Sequence, residues 1–324
     1  GEELAADLVI LAIGVRPDIS LAKASDLKIG PRNGISVDRN NLTNDKSIYA
    51  IGDVAEKTDS LDGSATLVPL ANIANRHGRV IADHIAGKNV REVDAQGTAI
   101  VKVFNLTVAT SGWNEKRLIT AKRDYIAIHS HPASHAGYYP GAQVMALKLL
   151  VDPKSHRILG VQGVGKEGVD KRIDVIATAM RGGITAPELA DLELAYAPPF
   201  GSAKDPVNML GYTSENVLSG ITPTVQWSEV EQKVSEGYTI LDVRSASEVD
   251  QGTLPGAINL PIDEISEHYE EIPKGKILVT CQVGQRGHAA TRLLRELGHD
   301  AVNLDGGYVT WSNSPANKKE KVGK

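Results

Sequence analysis

The chain has 324 residues, 41% of them hydrophobic and 23% charged, with a formal net charge of −5. That length allows two or three domains, and the balance is ordinary for a globular protein in water. There is no broad basic footprint of the kind nucleic acid binding needs, no apolar run reaches the ~18 residues of a membrane span, and no signal-peptide pattern is visible. A single cysteine, Cys281, excludes an internal disulfide framework and fits a cytoplasmic setting.

Residues 4–13, LAADLVILAI, read as a buried strand from Asp7 to Ile13, followed by GVRPD. A buried parallel strand needs neighbours from earlier βα units. With no initiator Met, the expectation is that this chain is the later part of a longer one. Ile35–Val37 and Ser47–Ile51 read as short strands, the second ending in GDVAE. Leu70–Ile85 has helical spacing and Gly87 stops it. Residues 99–110 and 124–131 alternate as strands do. Met145–Val151 and Arg157–Val161 flank the turn DPKSH and predict a hairpin. Val169–Arg181 is helical up to Gly182–Gly183, Pro187–Leu192 is a short helix, AYAPPFGSAKDPVN is a loop, and Asn208–Leu218 is helical. SGITPT has linker composition, so a boundary falls near residue 221.

Beyond it the pattern changes. Helix Glu229–Glu236, strand Thr239–Val243, strand Lys276–Thr280, helix 288–297 and strand Ala301–Leu304 predict a small parallel α/β domain. Between the last helix and the strand before it lies CQVGQR, residues 281–286. A helix start presents unpaired N–H groups and the positive end of the macrodipole, a setting that favours a thiolate over a thiol. Gly284 and Gly287 allow the backbone to curl so that several amides converge. Cys281 is therefore a candidate nucleophile; the bland alternative is a small buried hydrophobe.

CQVGQR resembles the C-x-x-G-x-R loop of rhodanese domains. LDVRSASEVDQGTLPGAINLP (241–261) is similar to the upstream signature of that family, and LDGGYVTW (304–311) to its closing one. The resemblance implies that Cys281 carries sulfane sulfur as a persulfide and that Arg286 helps to hold the anionic ligand. The amides of Gln282, Val283, Gly284, Gln285, Arg286 and Gly287 then form the cradle. Asp242, Arg244 and Glu248 are expected to be structural, as is Thr253, which stands where the family often has His. Related phosphatase domains have a loop one residue longer, so the length here favours sulfur over phosphate.

The first two-thirds resemble the FAD-dependent pyridine nucleotide-disulfide oxidoreductases, through LVILAIGVRPDI, SIYAIGDVAE and VPLANIANRHGRVIADHI. The resemblance implies that Gly52 and Asp53 contact FAD, and that Leu70 and Ala71, at a helix N-terminus, lie near the flavin. HSHPASHAGYYPGA and AYAPPFGSAKDPVN are similar to segments of coenzyme A-disulfide reductases and NADH-dependent persulfide reductases. That group implies a homodimer in which two tyrosines, here Tyr138 (or Tyr139) and Tyr196, reach the partner's active site. It also puts Phe200 near the partner's flavin and Lys204 near a substrate phosphate. The fold class expected is α/β and α+β. It comprises a partial doubly wound FAD/NAD-binding region (1–96), a dimerisation domain (97–220), a rhodanese domain (221–315) and a basic tail (316–324).

Two features mislead. Gly163–Gly168 matches G-x-G-x-x-G, but its strand belongs to a hairpin rather than a βαβ unit, against a dinucleotide site. His129, His131 and His135 lack metal-ligand spacing and read as surface or interface histidines. The family's FAD and NAD fingerprints and its flavin-linked cysteine, ~240 residues by typical domain size, are not in this sequence. In the complete enzyme NAD(P)H and FAD would reduce a disulfide with coenzyme A or a persulfide, with small thiols as partners. In this chain only sulfur transfer at Cys281 is self-sufficient, and little FAD retention is expected. The alternatives are a stand-alone sulfurtransferase and a non-catalytic dimerisation scaffold.

Overall fold

The structure, a computed structural model, describes residues 3–91 and 93–317. The basic tail expected at 316–324 lies outside the described residues from 318 onward. The chain divides into two compact units at Gly97–Thr98.

In the first unit the apolar run at Asp7–Ile13 is not a strand. Leu8 and Ile13 are 78% and 88% exposed. A strand is a pairing rather than a property of a run, and no described strand hydrogen-bonds to these residues. The two short strands expected next are likewise reduced to isolated bridges, Ile35 to Ile29 and Ala55, and Tyr49 to Leu42. Helix α1 (Ser20–Ala24) and the hairpin β1 (Lys57–Thr58) and β2 (Ala65–Thr66) precede α2 (Ala71–Ile85). A small core gathers Ala22, Ile35, Ala50 and Ala55.

The second unit holds two sheets. The first is antiparallel, in the order β3 (Ala99–Val103), β4 (Leu106–Gly112), β7 (Ile158–Gly165), β6 (Met145–Val151), β5 (Ile126–Ser130). Helix α3 (Glu115–Thr120) follows β4, and α4 (Val169–Gly182) and α5 (Pro206–Leu218) pack on the sheet. Ile173 and Ile176 of α4 and Val207 and Leu210 of α5 join Leu147, Leu149 and Val161 in one core. Gly163 and Gly165 of the misleading glycine motif lie on β7, paired antiparallel with β4 and β6. A Cβ on Gly163 would sit 2.9 Å from Val169 of α4, so this glycine serves close helix–strand packing.

The second sheet is parallel throughout, in the order β10 (Ile258–Asn259), β9 (Thr239–Asp242), β11 (Lys276–Thr280), β12 (Asp300–Leu304), β8 (Thr224–Val225). Helices α6 (Val230–Ser235), α7 (Ala246–Val249), α8 (Gln285–Glu296) and α9 (Gly307–Asn313) surround it. The unbroken apolar run of β11 reflects burial on both faces. Ile277 and Val279 pack with Ala290 and Leu294 of α8, whereas Leu278 packs with Trp311 of α9. Cys281 continues that alternation on the α8 side.

Candidate active site

Strand β11 ends at Thr280, so Cys281 emerges at the carboxyl end of a parallel sheet, where open α/β folds place their ligands. Only Cys281, Gln282 and Val283 separate the strand from Gly284, the residue before α8. The helix thus starts at Gln285, three residues earlier than the spacing predicts. Gln285, Arg286 and Gly287 form its first turn, whose N–H groups have no partner within the helix, and no side chain caps it. Gly284 takes φ +92°, and its N–H donates to Cys281 Sγ at 3.1 Å. A Cβ on Gly287 would lie 3.6 Å from Sγ, so the helix backbone comes directly under the sulfur. The Cys281 side chain is fully buried.

Two layers hold this loop. Beneath it, Arg244 binds Asp242 through Nε at 3.0 Å and Nη2 at 2.7 Å, and its Nη1 donates to Gln282 Oε1 at 3.0 Å. Thr253 completes the pair by donating to Asp242 Oδ2 at 2.6 Å. Above it, Tyr308 N–H donates to the Cys281 carbonyl at 2.7 Å and Val309 N–H to Gln282 at 3.0 Å. Asn303 Nδ2 donates to the Gly284 carbonyl at 3.1 Å.

Arg286 is held beside the loop by an ion pair. Its guanidinium makes a two-pronged contact with Glu248, at 2.8 and 2.5 Å. This hydrogen bonding to Arg286, reinforced by Ser245, holds the Glu248 carboxyl down at about 2. The amide of Gly284 reaches the sulfur, while the guanidinium is committed to a carboxylate that a ligand would have to compete with.

The other expected residues fall into two places. Tyr138 and Tyr196 meet, hydroxyl to hydroxyl, at 3.1 Å, and this bond raises the Tyr196 pKa. Tyr139 instead sets its ring edge against His135. The loops that carry the pair are pinned by Arg172, almost wholly buried, which binds Asp205 at 2.8 Å and the Ser134 carbonyl at 2.9 Å. Ala136 N–H also donates to Gly201 at 2.8 Å. Phe200 is 72% exposed on the same loop. Lys204 lies over the Tyr212 ring and lines a cavity of about 460 Å³ shared with Gly284, Gln285, His131 and His288.

In the first unit, Gly52–Val54 forms a 3-10 turn in which Gly52 has φ +75° and Asp53 is exposed. Lys57 Nζ ties it down through the carbonyls of Gly52 (2.6 Å) and Ala55 (2.7 Å). The turn packs on α2 beside its N-terminus, where Leu70 precedes Ala71 and no side chain caps the helix.

Sequence reasoning placed His129 among surface or interface histidines but missed its partner Asp305, and missed Gln226. Asp305 lies in the LDGG segment quoted for the resemblance, but nothing local signals that its carboxylate accepts from His129 Nδ1 at 2.6 Å, 176 residues away. Among the described residues there is no cluster of His, Cys, Asp and Glu suited to a metal ion, and no helix long and apolar enough to cross a membrane.

The second unit therefore combines a cysteine at the carboxyl end of a parallel sheet, with the Gly284 amide on its sulfur, and an antiparallel sheet whose loops carry a tyrosine pair. Three families match in order: pyridine nucleotide-disulphide oxidoreductase over residues 1–78, its dimerisation domain over 98–206, and a rhodanese-like domain over 226–314. The chain thus carries a pyridine nucleotide-disulphide oxidoreductase region and its dimerisation domain, with a rhodanese-like domain after them. It is 37% identical over 210 residues to the coenzyme A disulfide reductase of Staphylococcus aureus, a match covering 64% of this chain and 48% of that protein. A crystal structure of reduced Bacillus anthracis CoADR-RHD superposes with a TM-score of 0.92 at 46% identity, covering 96% of this chain and 56% of that one. A NAD-dependent persulfide reductase from A. fulgidus gives 0.88 at 39% identity, covering 96% and 57%. The chain therefore spans about half the length of the curated relatives it matches.

Proposed function

We propose that Cys281 is the carrier of sulfane sulfur in a sulfur-transfer reaction. One observation carries this: the Gly284 N–H on Sγ at 3.1 Å, at the uncapped start of α8. Amides so placed favour a charged sulfur and, after transfer, a charged outer sulfur. The thiolate attacks the outer sulfur of a donor such as thiosulfate. The donor's sulfur–sulfur bond breaks, sulfite leaves with the electron pair, and a Cys281 persulfide forms. An acceptor nucleophile then takes the outer sulfur and Cys281 departs as thiolate. A thiosulfate:cyanide assay on wild type and Cys281→Ser tests the reading; equal rates in both would refute it.

The whole protein is, on this reading, a cytoplasmic, homodimeric, flavin-dependent NAD(P)H reductase of coenzyme A-disulfide or persulfide substrates. The relatives named for those activities support it, as does the matched dimerisation domain. FAD, when bound, passes electrons from NAD(P)H to a disulfide or persulfide. The residues of the first unit fit it: Asp53 offers an exposed acceptor to hydroxyls, beside the uncapped amides that follow Leu70. Tyr138 and Tyr196 would donate a hydrogen bond or proton to a departing thiolate, Phe200 would lie near the partner's flavin, and Lys204 would meet a substrate phosphate. On this reading the disulfide or persulfide reduced at the flavin would involve another thiol than Cys281, the one cysteine of this sequence. A flavin absorption spectrum and a mass measurement of the purified protein test this part.

A further inference from the structure

The loop bearing Cys281 is braced from outside its own domain. Its roof is the turn Asp305–Gly307. Gly307 has φ +58°, and a Cβ there would sit 2.4 Å from the Cys281 carbonyl and 2.8 Å from the Gly284 nitrogen, the atom whose hydrogen reaches the sulfur. The turn is thus packed directly on the amide that reaches the sulfur. The adjoining residues Tyr308 and Val309 hold the loop carbonyls.

The turn's own domain holds its backbone through Asp305 N–H to Val225 at 3.0 Å and Thr310 N–H to the Gly306 carbonyl at 3.4 Å. The Asp305 carboxylate, 3% exposed, needs donors, and it draws them from both domains. It accepts from the His129 N–H at 3.1 Å, from His129 Nδ1 at 2.6 Å, and from Gln226 Nε2 at 3.1 Å. Nδ1 is taken as the protonated nitrogen because the carboxylate accepts from it. His129 belongs to β5 of the dimerisation sheet, and Gln226 also donates to Ala127 of that strand at 2.9 Å. Gly306 is packed so closely that a Cβ would lie 2.8 Å from His129 Cβ. His131 Nε2 adds a contact to Thr310 at 2.7 Å.

We propose that His129 is a positioning residue for Cys281: through Asp305 it fixes the turn that seats the Gly284 amide on the sulfur, so the dimerisation domain sets the reactivity of the rhodanese loop. The functional half rests on the sulfur-transfer reading; the brace does not. The test joins hydrogen exchange by mass spectrometry to transfer kinetics in wild type, His129→Ala and His129→Asn, the last keeping a donor near the Nδ1 position. In His129→Ala, exchange should speed up over residues 281–287 and 305–309 while β11 stays protected. The kcat of thiosulfate:cyanide transfer should fall roughly tenfold, the scale of one charge-assisted hydrogen bond, with KM little changed. His129→Asn should recover both. Gln226→Ala, which removes another donor to the same carboxylate, serves if His129→Ala does not fold. Wild-type exchange over the loop in the alanine variant, or loosening spread evenly over the whole sheet, would overturn the proposal. Absence of transfer in wild type would end the sulfur-transfer reading and leave the exchange test standing.

Discussion

Gly307 shows how little freedom the site allows. Its positive φ costs an L-residue about 1–2 kcal/mol, and its missing Cβ is occupied by the cysteine loop. Gly307→Ala should lower the melting temperature and slow sulfur transfer by more than its effect on stability explains, measured by thermal scan and assay on the same sample. Two titrating residues near the loop respond to acid with their own signatures. Glu248 is held at about 2 by Arg286, below its ordinary 4.5. The contact therefore stabilises the fold above pH 4.5, and this is lost as pH falls toward 2. Glu248→Gln should remove that part of the acid dependence. His131 is held at about 4, below its ordinary 6.5, by burial first and then by His129. Below pH 6.5 the unfolded chain takes up a proton that the fold refuses, so stability falls as pH drops from about 6.5 to 4. His131→Gln, still able to donate to Thr310, should flatten that limb in melting temperature against pH.

At the scale of elements, the parallel sheet was legible because its strands are short apolar runs bounded by polar turns. Lys276–Thr280 has the predicted bounds, and the antiparallel hairpin at 145–161 is also present. Asp7–Ile13 misled because apolarity does not supply a pairing partner. The start of α8 was misplaced because Gln285 and Arg286 carry no helix-start signal, and Gly284, at the N-cap position in the left-handed region, has no side chain to cap it. That Cys281 lies between a strand and a helix start could be read from local spacing, but the His129–Asp305 contact could not, since it spans 176 residues. Arg172 belongs to the same kind of hidden element: it joins α4 to the loops bearing Tyr138 and Tyr196. Arg172→Ala leaves the Asp205 carboxylate, 3% exposed, short of its buried partner, and should cost about 3–5 kcal/mol in denaturant unfolding.

For the whole chain, the second unit joins a parallel sheet of a rhodanese-like domain to the antiparallel sheet of a dimerisation domain. On the function proposed above, Cys281, the one cysteine of the sequence, is the residue that carries the sulfur. The most direct test of the account is mass spectrometry of the peptide containing Cys281 after incubation with thiosulfate. The account predicts a gain of one sulfur atom on Cys281, released by cyanide as thiocyanate and absent in Cys281→Ser. A Cys281 that stays unmodified while the protein is folded would contradict it.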